Sequence, residues 1–151
     1  MIRDEPPTGA PSRTLFTEYM GLVRERLGDE FSPTEDIFAT EGAFDGPGTA
    51  WLVVYEDDRP VACGGLRPIE SGVGEIKRMF VTAGARRRGH GRELLAELER
   101  RARDAGYERV RVYTTAVLRE ALALYDDAGY RRVDIAPVDG RADDVWLEKR
   151  L

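Results

Sequence analysis

Residues 74–106 read GEIKRMFVTAGARRRGHGRELLAELERRARDAG. The first part, EIKRMFV at 75–81, reads as a strand. GARRRGHG at 84–91 is too rich in glycine and charge to continue it and reads as a loop. From about Gly89 to Ala105 the pattern changes to that of a helix, with Leu94, Leu95, Leu98 and Ala102 on one stripe. Glu97 with Arg101 and Glu99 with Arg103 form i,i+4 pairs expected on the wet side, and Gly106 suits the C-terminal cap. The centre is therefore strand, loop, helix, with three arginines and two glycines at the helix mouth. A helix N-terminus carries unpaired N–H groups and a partial positive charge. Glycine lets an oxygen-rich anion approach that backbone closely, and arginine adds fork-shaped donors. Taken alone, the loop serves equally well as an ordinary helix start with solvated arginines. It lacks the Gly-Lys-Ser/Thr ending of a Walker loop and the first glycine of a dinucleotide fingerprint. His90, between the glycines, reads as a surface loop residue rather than a catalyst.

Upstream, AWLVVYEDD at 50–58 and VACGGLRPI at 61–69 read as a strand pair turned by DDRP, so three strands are expected to form a meander. Leu15, Phe16, Tyr19, Met20, Val23 and Leu27 share a helical face, with Ser12 as its expected cap and Gly28 as its stop. SPTE at 32–35 has the form of a capping box and predicts a short second helix through about Thr40, with 41–49 a loop. Residues 1–12 read as a loose arm, with no clear strand before the first helix. Downstream, RVRVYTT at 109–115 follows the long helix and is expected parallel to EIKRMFV through a right-handed crossover. LREALALYDDAG at 118–129 is a helix stopped by Gly129, and YRRVDIAPV and DVWLEKRL read as a closing antiparallel pair. The whole, 1–151, reads as one α/β (α+β) domain with a mixed sheet and helices on both faces.

The 151 residues suffice for one core, and 42% are apolar, which excludes a disordered chain. A net charge of −5 argues against nucleic-acid or membrane binding driven by bulk charge. One cysteine, Cys63, excludes an internal disulfide, and a single His beside it supplies a metal site poorly. Cys63 reads as a core residue. No apolar run is long enough to span a bilayer and the N-terminus lacks a signal-peptide core, so a cytoplasmic protein is expected.

Two further features join the loop. Glu75 opens the strand that leads into it, and EALALYDDAGY places Tyr125 late in a helix before a Gly-aromatic pair. With RRRGHGRELL these resemble the GCN5-related N-acetyltransferase (GNAT) superfamily, whose acyl-CoA signature is Arg/Gln-x-x-Gly-x-Gly/Ala. The resemblance covers residues 51–151 closely and the first 50 loosely. It implies a mostly antiparallel mixed sheet with a central, splayed parallel pair, flanked by helices. It also implies acetyl-CoA as cosubstrate and no metal. The pyrophosphate would sit on the loop, at Arg86, Arg87, Arg88, Gly89, His90, Gly91 and Arg92. The pantetheine arm would enter the splay beside Met79, Phe80 and Val81. The Met79 backbone N–H would face the thioester oxygen, Glu75 would take the amine proton directly or through water, and Tyr125 would face the thiol sulfur. Thr114 and Thr115 stand where the family often has a cofactor-contacting Asn.

These residue types suit acyl transfer. An amine is protonated at neutral pH, so a carboxylate or a water chain must take a proton before attack. The tetrahedral oxyanion needs a fixed donor, and the thiolate gains from an O–H. The plainer roles stay open: Glu75 as a strand-edge charge, Tyr125 as packing, and Lys77 or Arg78 facing either the acceptor or water. The acceptor is expected to be a small-molecule or peptide amine. Glu35, Asp36, Glu41, Asp45 and Glu70 lean toward a cationic one. A non-catalytic acyl-CoA-binding regulatory module is the alternative, and a nucleic-acid binder is disfavoured by charge. A homodimer is one assembly open to the chain.

Overall fold

The computed structural model describes residues 1–28, 44–136 and 143–151. The predicted helix at 32–40 and the carboxylates Glu35, Asp36 and Glu41 lie outside the described residues. In chain order the elements are β1 (Ile2–Asp4), α1 (Ala10–Leu27), β2 (Ala50–Glu56), β3 (Arg59–Glu70), β4 (Val73–Val81), α2 (His90–Asp104), β5 (Arg109–Thr115), α3 (Arg119–Asp127), β6 (Arg131–Val133) and β7 (Asp144–Arg150). A single 3-10 turn, Ala83–Ala85, precedes α2. The strands form one sheet in the order β1-β2-β3-β4-β5-β7-β6. All neighbours are antiparallel except β4 and β5.

Two readings of the N-terminus are corrected. The segment taken as a loose arm holds β1, which pairs with β2 from Ile2↔Val54 to Asp4↔Leu52. Three residues of mixed polarity carry no strand signal of their own, and β1 forms because β2 presents an edge to pair with. Ser12 does not cap α1. The helix begins at Ala10 behind Gly9, with proline in its first turn, where a missing N–H costs nothing. Ser12 is instead buried inside the helix, where its hydroxyl donates to the Pro6 carbonyl (3.1 Å) and accepts from Trp51 Nε1 (2.9 Å).

The pleat sorts the core into two layers. Leu52, Val54, Ala62, Leu66, Ile76, Val110 and Val112 face α2, whose Leu94, Leu95, Leu98 and Ala102 are at most 1% exposed. At about 1.5–3 kcal/mol per buried large apolar side chain, this stripe alone anchors the helix. Trp51, Val53, Cys63 and Phe80 face the other way, against Leu15 and Tyr19 of α1 and against Phe44. Gly106 and Gly129, both at positive φ, end α2 and α3 in the same manner. In each, the glycine N–H and the following tyrosine N–H return to carbonyls of the last turn, at 3.0 Å in all four bonds.

One expected wet position is corrected. The Glu99–Arg103 pair exists at 3.9 Å, but Glu99 is only 5% exposed. It accepts from the Tyr130 hydroxyl (3.0 Å) and from Lys149 Nζ (2.9 Å), because β7 and the end of α3 pack over that flank of α2. A buried carboxylate needs such partners.

Candidate active site

The parallel ladder between β4 and β5 is short: Val73↔Arg109, Gly74↔Val110 and Glu75↔Arg111, and no further. Both strands run on, β4 to Val81 and β5 to Thr115. The two arms are held apart by their other neighbours. β5 stays paired to β7 along its whole length, from Arg109↔Arg150 to Thr115↔Asp144. β4 stays with β3, but the register slips between Cys63↔Phe80 and Gly65↔Lys77, so Arg78 and Met79 together oppose Gly64. That is a bulge, with Arg78 at φ 58. A bulge bends its strand and leaves the ladder locally unpaired. A Cβ at Gly64 would meet Met79 Sδ at 2.6 Å and Leu98 Cδ1 at 3.1 Å, so glycine lets Met79 pack there undisturbed.

The gap opens into a cleft of about 550 Å³. It is lined by the apolar Tyr19, Leu22, Met79, Phe80 and Val81 and by Arg86, Arg87, Gly89, His90, Gly91 and Arg92. Leu118, Glu120, Ala121 and Leu124 close one side. Before α2, Arg87 (φ 64) and Gly89 (φ 85) curl the chain into the helix. Gly89 is the N-cap and makes no side-chain cap bond. The first intrahelical N–H is that of Glu93, bonded to the Gly89 carbonyl at 3.0 Å, so the amides of His90, Gly91 and Arg92 precede the ladder. Uncapped amides, two left-handed residues and three arginines along one wall fit a phosphate-bearing ligand. A Cβ at Gly91 would sit tightly between Leu124 Cδ2 (3.3 Å) and Val81 Cγ2 (3.4 Å), so a longer side chain there would enter the cleft.

Of the sequence-predicted residues, Met79, Phe80, Val81, Arg86, Arg87, Gly89, His90, Gly91 and Arg92 line this one cleft. His90 is not the surface residue expected. It begins α2, its side chain is 14% exposed, and Nε2 lies 2.6 Å from Glu56 Oε2 at the end of β2. Arg88 turns away from the cleft to pair with the same Glu56. Thr114, opposite Val145 on β7, is also absent from the lining. The Thr115 hydroxyl is buried without a partner among the described residues.

Glu75 sits at the closed apex of the V, 3% exposed, and accepts from Arg67 Nε at 2.9 Å. Tyr125 is 3% exposed, packed against Tyr130 with ring centroids 5.5 Å apart, and its phenol is pushed above its ordinary range chiefly by burial. Neither side chain lines the cleft as it stands. Cys63 is buried, its thiol pushed up to about 12 by burial.

Seven lining residues are not among the sequence-predicted site residues: Tyr19, Leu22, Ala85, Leu118, Glu120, Ala121 and Leu124. Glu120 takes a two-pronged bond from Arg26 of α1, both distances 2.6 Å, and lies 3.9 Å from Arg86. The Arg26 bond holds its carboxyl at about 2. Glu120 is marked out by Arg26, which reaches it from 94 residues away, and no local spacing signals that.

Residues 13–130 match the sequence profile of the Acetyltransferase (GNAT) family. The uncharacterized N-acetyltransferase YjgM of Escherichia coli is 30% identical over 138 residues, covering 89% of this chain and 81% of that protein. The IAA acetyltransferase of Azospirillum brasilense is 36% identical over 144 residues, 94% of each. Among solved structures, PaiA N-acetyltransferase from Thermoplasma acidophilum, in complex with coenzyme A, covers 100% of this chain and 98% of that one at a TM-score of 0.72. At 16% identity it is a likeness of fold.

Proposed function

The chain belongs to the GNAT acetyltransferase family, and from that premise we propose that it moves an acetyl group from acetyl-CoA to a primary amine by direct attack in a ternary complex. The observation that carries the reading is the bulged V itself. It opens beside Met79 and runs straight into the uncapped start of α2. A cleft lined by apolar side chains together with arginines and free helix amides suits a long thioester with a pyrophosphate tail.

In this reading Arg86, Arg87 and Arg92 and the amides from Gly89 to Arg92 hold the phosphates. The Met79 N–H, at the bulge, faces the thioester oxygen and stabilises the oxyanion, a contribution of about 3 kcal/mol in comparable sites. The neutral amine attacks the carbonyl carbon, the C–S bond breaks, and one proton leaves the nitrogen while one reaches the sulfur. Glu75, at the apex, takes the first through a water chain. Tyr125, whose buried phenol stays protonated, supplies the second.

The test is thiol release from acetyl-CoA across a panel of amines, with the acetylated product identified by mass. Turnover on at least one amine class supports transfer. Tight acetyl-CoA binding with no amine acetylated leaves the non-catalytic acyl-CoA-binding module in its place.

A further inference from the structure

One carboxylate ties the loop before α2 to the sheet. Glu56 is the last residue of β2 and pairs with Arg59 across a two-residue turn in which Asp57 (φ 50) and Asp58 (φ 61) are both left-handed. Turns of that kind match the twist of the strands they join, so β2 and β3 fix the backbone at Glu56. Its side chain reaches the loop twice. Oε2 lies 2.6 Å from His90 Nε2, and Oε1 accepts from Arg88. A carboxylate only accepts, so the imidazole proton in the first bond sits on Nε2. His90 chiefly, and Arg88 after it, hold the Glu56 carboxyl below the usual carboxylate range.

The two residues so held flank Gly89, the N-cap of α2. Arg87, one step earlier, is left-handed, a backbone that a non-glycine residue keeps only where its surroundings impose it. The ladder of α2 does not reach that far back, since it begins at the Glu93 N–H. Glu56 supplies a hold from outside the loop, with one bond before Gly89 and one after it. The free amides of His90, Gly91 and Arg92 follow at once, and those three residues line the cleft. Glu56 itself does not line it.

We propose that Glu56 is a positioning residue for the phosphates of acetyl-CoA: through Arg88 and His90 it sets the loop in its binding shape before the ligand arrives. This rests on the transferase reading above. It gives Arg88 a part other than the phosphate contact that the family resemblance implies, since that guanidinium pairs with Glu56. The sign of the effect separates this role from that of a bystander. A carboxylate near a phosphate site repels the ligand, so neutralising a bystander Glu56 would tighten binding. Neutralising a positioning Glu56 does the reverse, because the loop must then be ordered at the moment of binding and that cost falls on affinity.

The experiment measures Kd for acetyl-CoA by calorimetry and kcat at saturating acetyl-CoA in wild type, Glu56→Gln, Arg88→Met and the double variant. S-acetylpantetheine, which carries no phosphate, serves as a second acyl donor. The Glu56 side chain is 31% exposed, so Gln, of the same reach, leaves the core intact. In Glu56→Gln the Kd should rise roughly 3- to 30-fold, with kcat and the kcat/KM for S-acetylpantetheine held. Arg88→Met should weaken acetyl-CoA binding in the wild-type background and add little in Glu56→Gln, since Arg88 acts through that carboxylate. His90→Gln, which keeps a donor for Glu56, should stay closer to wild type than His90→Ala. A Glu56→Gln protein that binds acetyl-CoA as tightly as wild type or more tightly, or that loses as much with S-acetylpantetheine, overturns the assignment of Glu56 and leaves the transferase reading standing. A wild type that binds no acetyl-CoA overturns both.

Discussion

Replacing Glu75 by Gln separates a proton acceptor from a strut. The carboxylate is buried at the apex of the V, its side chain 4% exposed against 26% for Arg67, which donates Nε to Oε1 at 2.9 Å. Gln keeps an acceptor oxygen of the same reach, so the bond survives as a neutral one. Bonds to a charged partner contribute about 1.5–3 kcal/mol and neutral ones about 0.5–1.5, so the fold loses about 1–1.5 kcal/mol. Water at the quarter-exposed Arg67 absorbs part of the lost charge pairing. In a chain of this size that is a fall of about 2–6 °C in Tm. The rate should fall much further, by roughly 10²–10⁴-fold, which is about 2.7–5.5 kcal/mol in the barrier. KM for acetyl-CoA should hold, because Glu75 does not line the cleft. The assay is thiol release as a function of pH, with Tm measured on the same preparations. Wild-type activity should rise with pH as the amine loses its proton, and Glu75→Gln should stay below it across that range. Arg67→Met should slow the wild type but not slow Glu75→Gln further, since Arg67 acts through the carboxylate it holds. A Glu75→Gln enzyme with the small Tm loss and a rate within about threefold of wild type at every pH would refute the argument and leave Glu75 as a structural partner of Arg67.

Gly91→Gln should weaken acetyl-CoA binding by at least tenfold in calorimetry, because Gly91 lines the cleft and a longer side chain there would take up ligand space; unchanged affinity removes the loop assignment. Tyr125→Phe should keep acetyl-CoA affinity and lower kcat, whereas a wild-type rate with thiol release limiting reduces Tyr125 to packing against Tyr130. Glu120, held at about 2 by Arg26, has a folded-state value below the unfolded one. Its contribution is therefore present above the ordinary carboxylate range and lost as pH falls toward 2. Acid denaturation between about pH 5 and 2 should be shallower in Glu120→Gln, and identical acid curves would contradict this. Cys63, its thiol pushed up to about 12 by burial, should resist iodoacetamide in the folded protein and react only on unfolding; rapid labelling with loss of activity would show an open core.

Much of the strand-loop-helix centre is legible from residues 74–106 alone. Helix caps and left-handed turns are settled within a few residues, which is why Gly28, Gly89, Gly106 and Gly129 all sit at positive φ where the chain was expected to stop or start a helix. The stripe of Leu94, Leu95, Leu98 and Ala102 is likewise a matter of one helix's own period. The resemblance to acetyltransferases added roles for Met79, Glu75 and Tyr125 that no local spacing supplies. Tertiary structure decided the rest, because it depends on partners far away in the chain. β1 exists because β2, some 50 residues later, offers it an edge. The wet side of α2 holds a buried Glu99 because Tyr130 and Lys149 arrive there from 31 and 50 residues away. The V opens because two residues of β4 face one residue of β3, a count that exists only between strands, and the same miscount lifts Arg78 out of the leucine layer and onto the face of α1. A sequence sets the period of each element, but which side of the pleat a residue takes at a bulge is settled only when the neighbouring strand is in place.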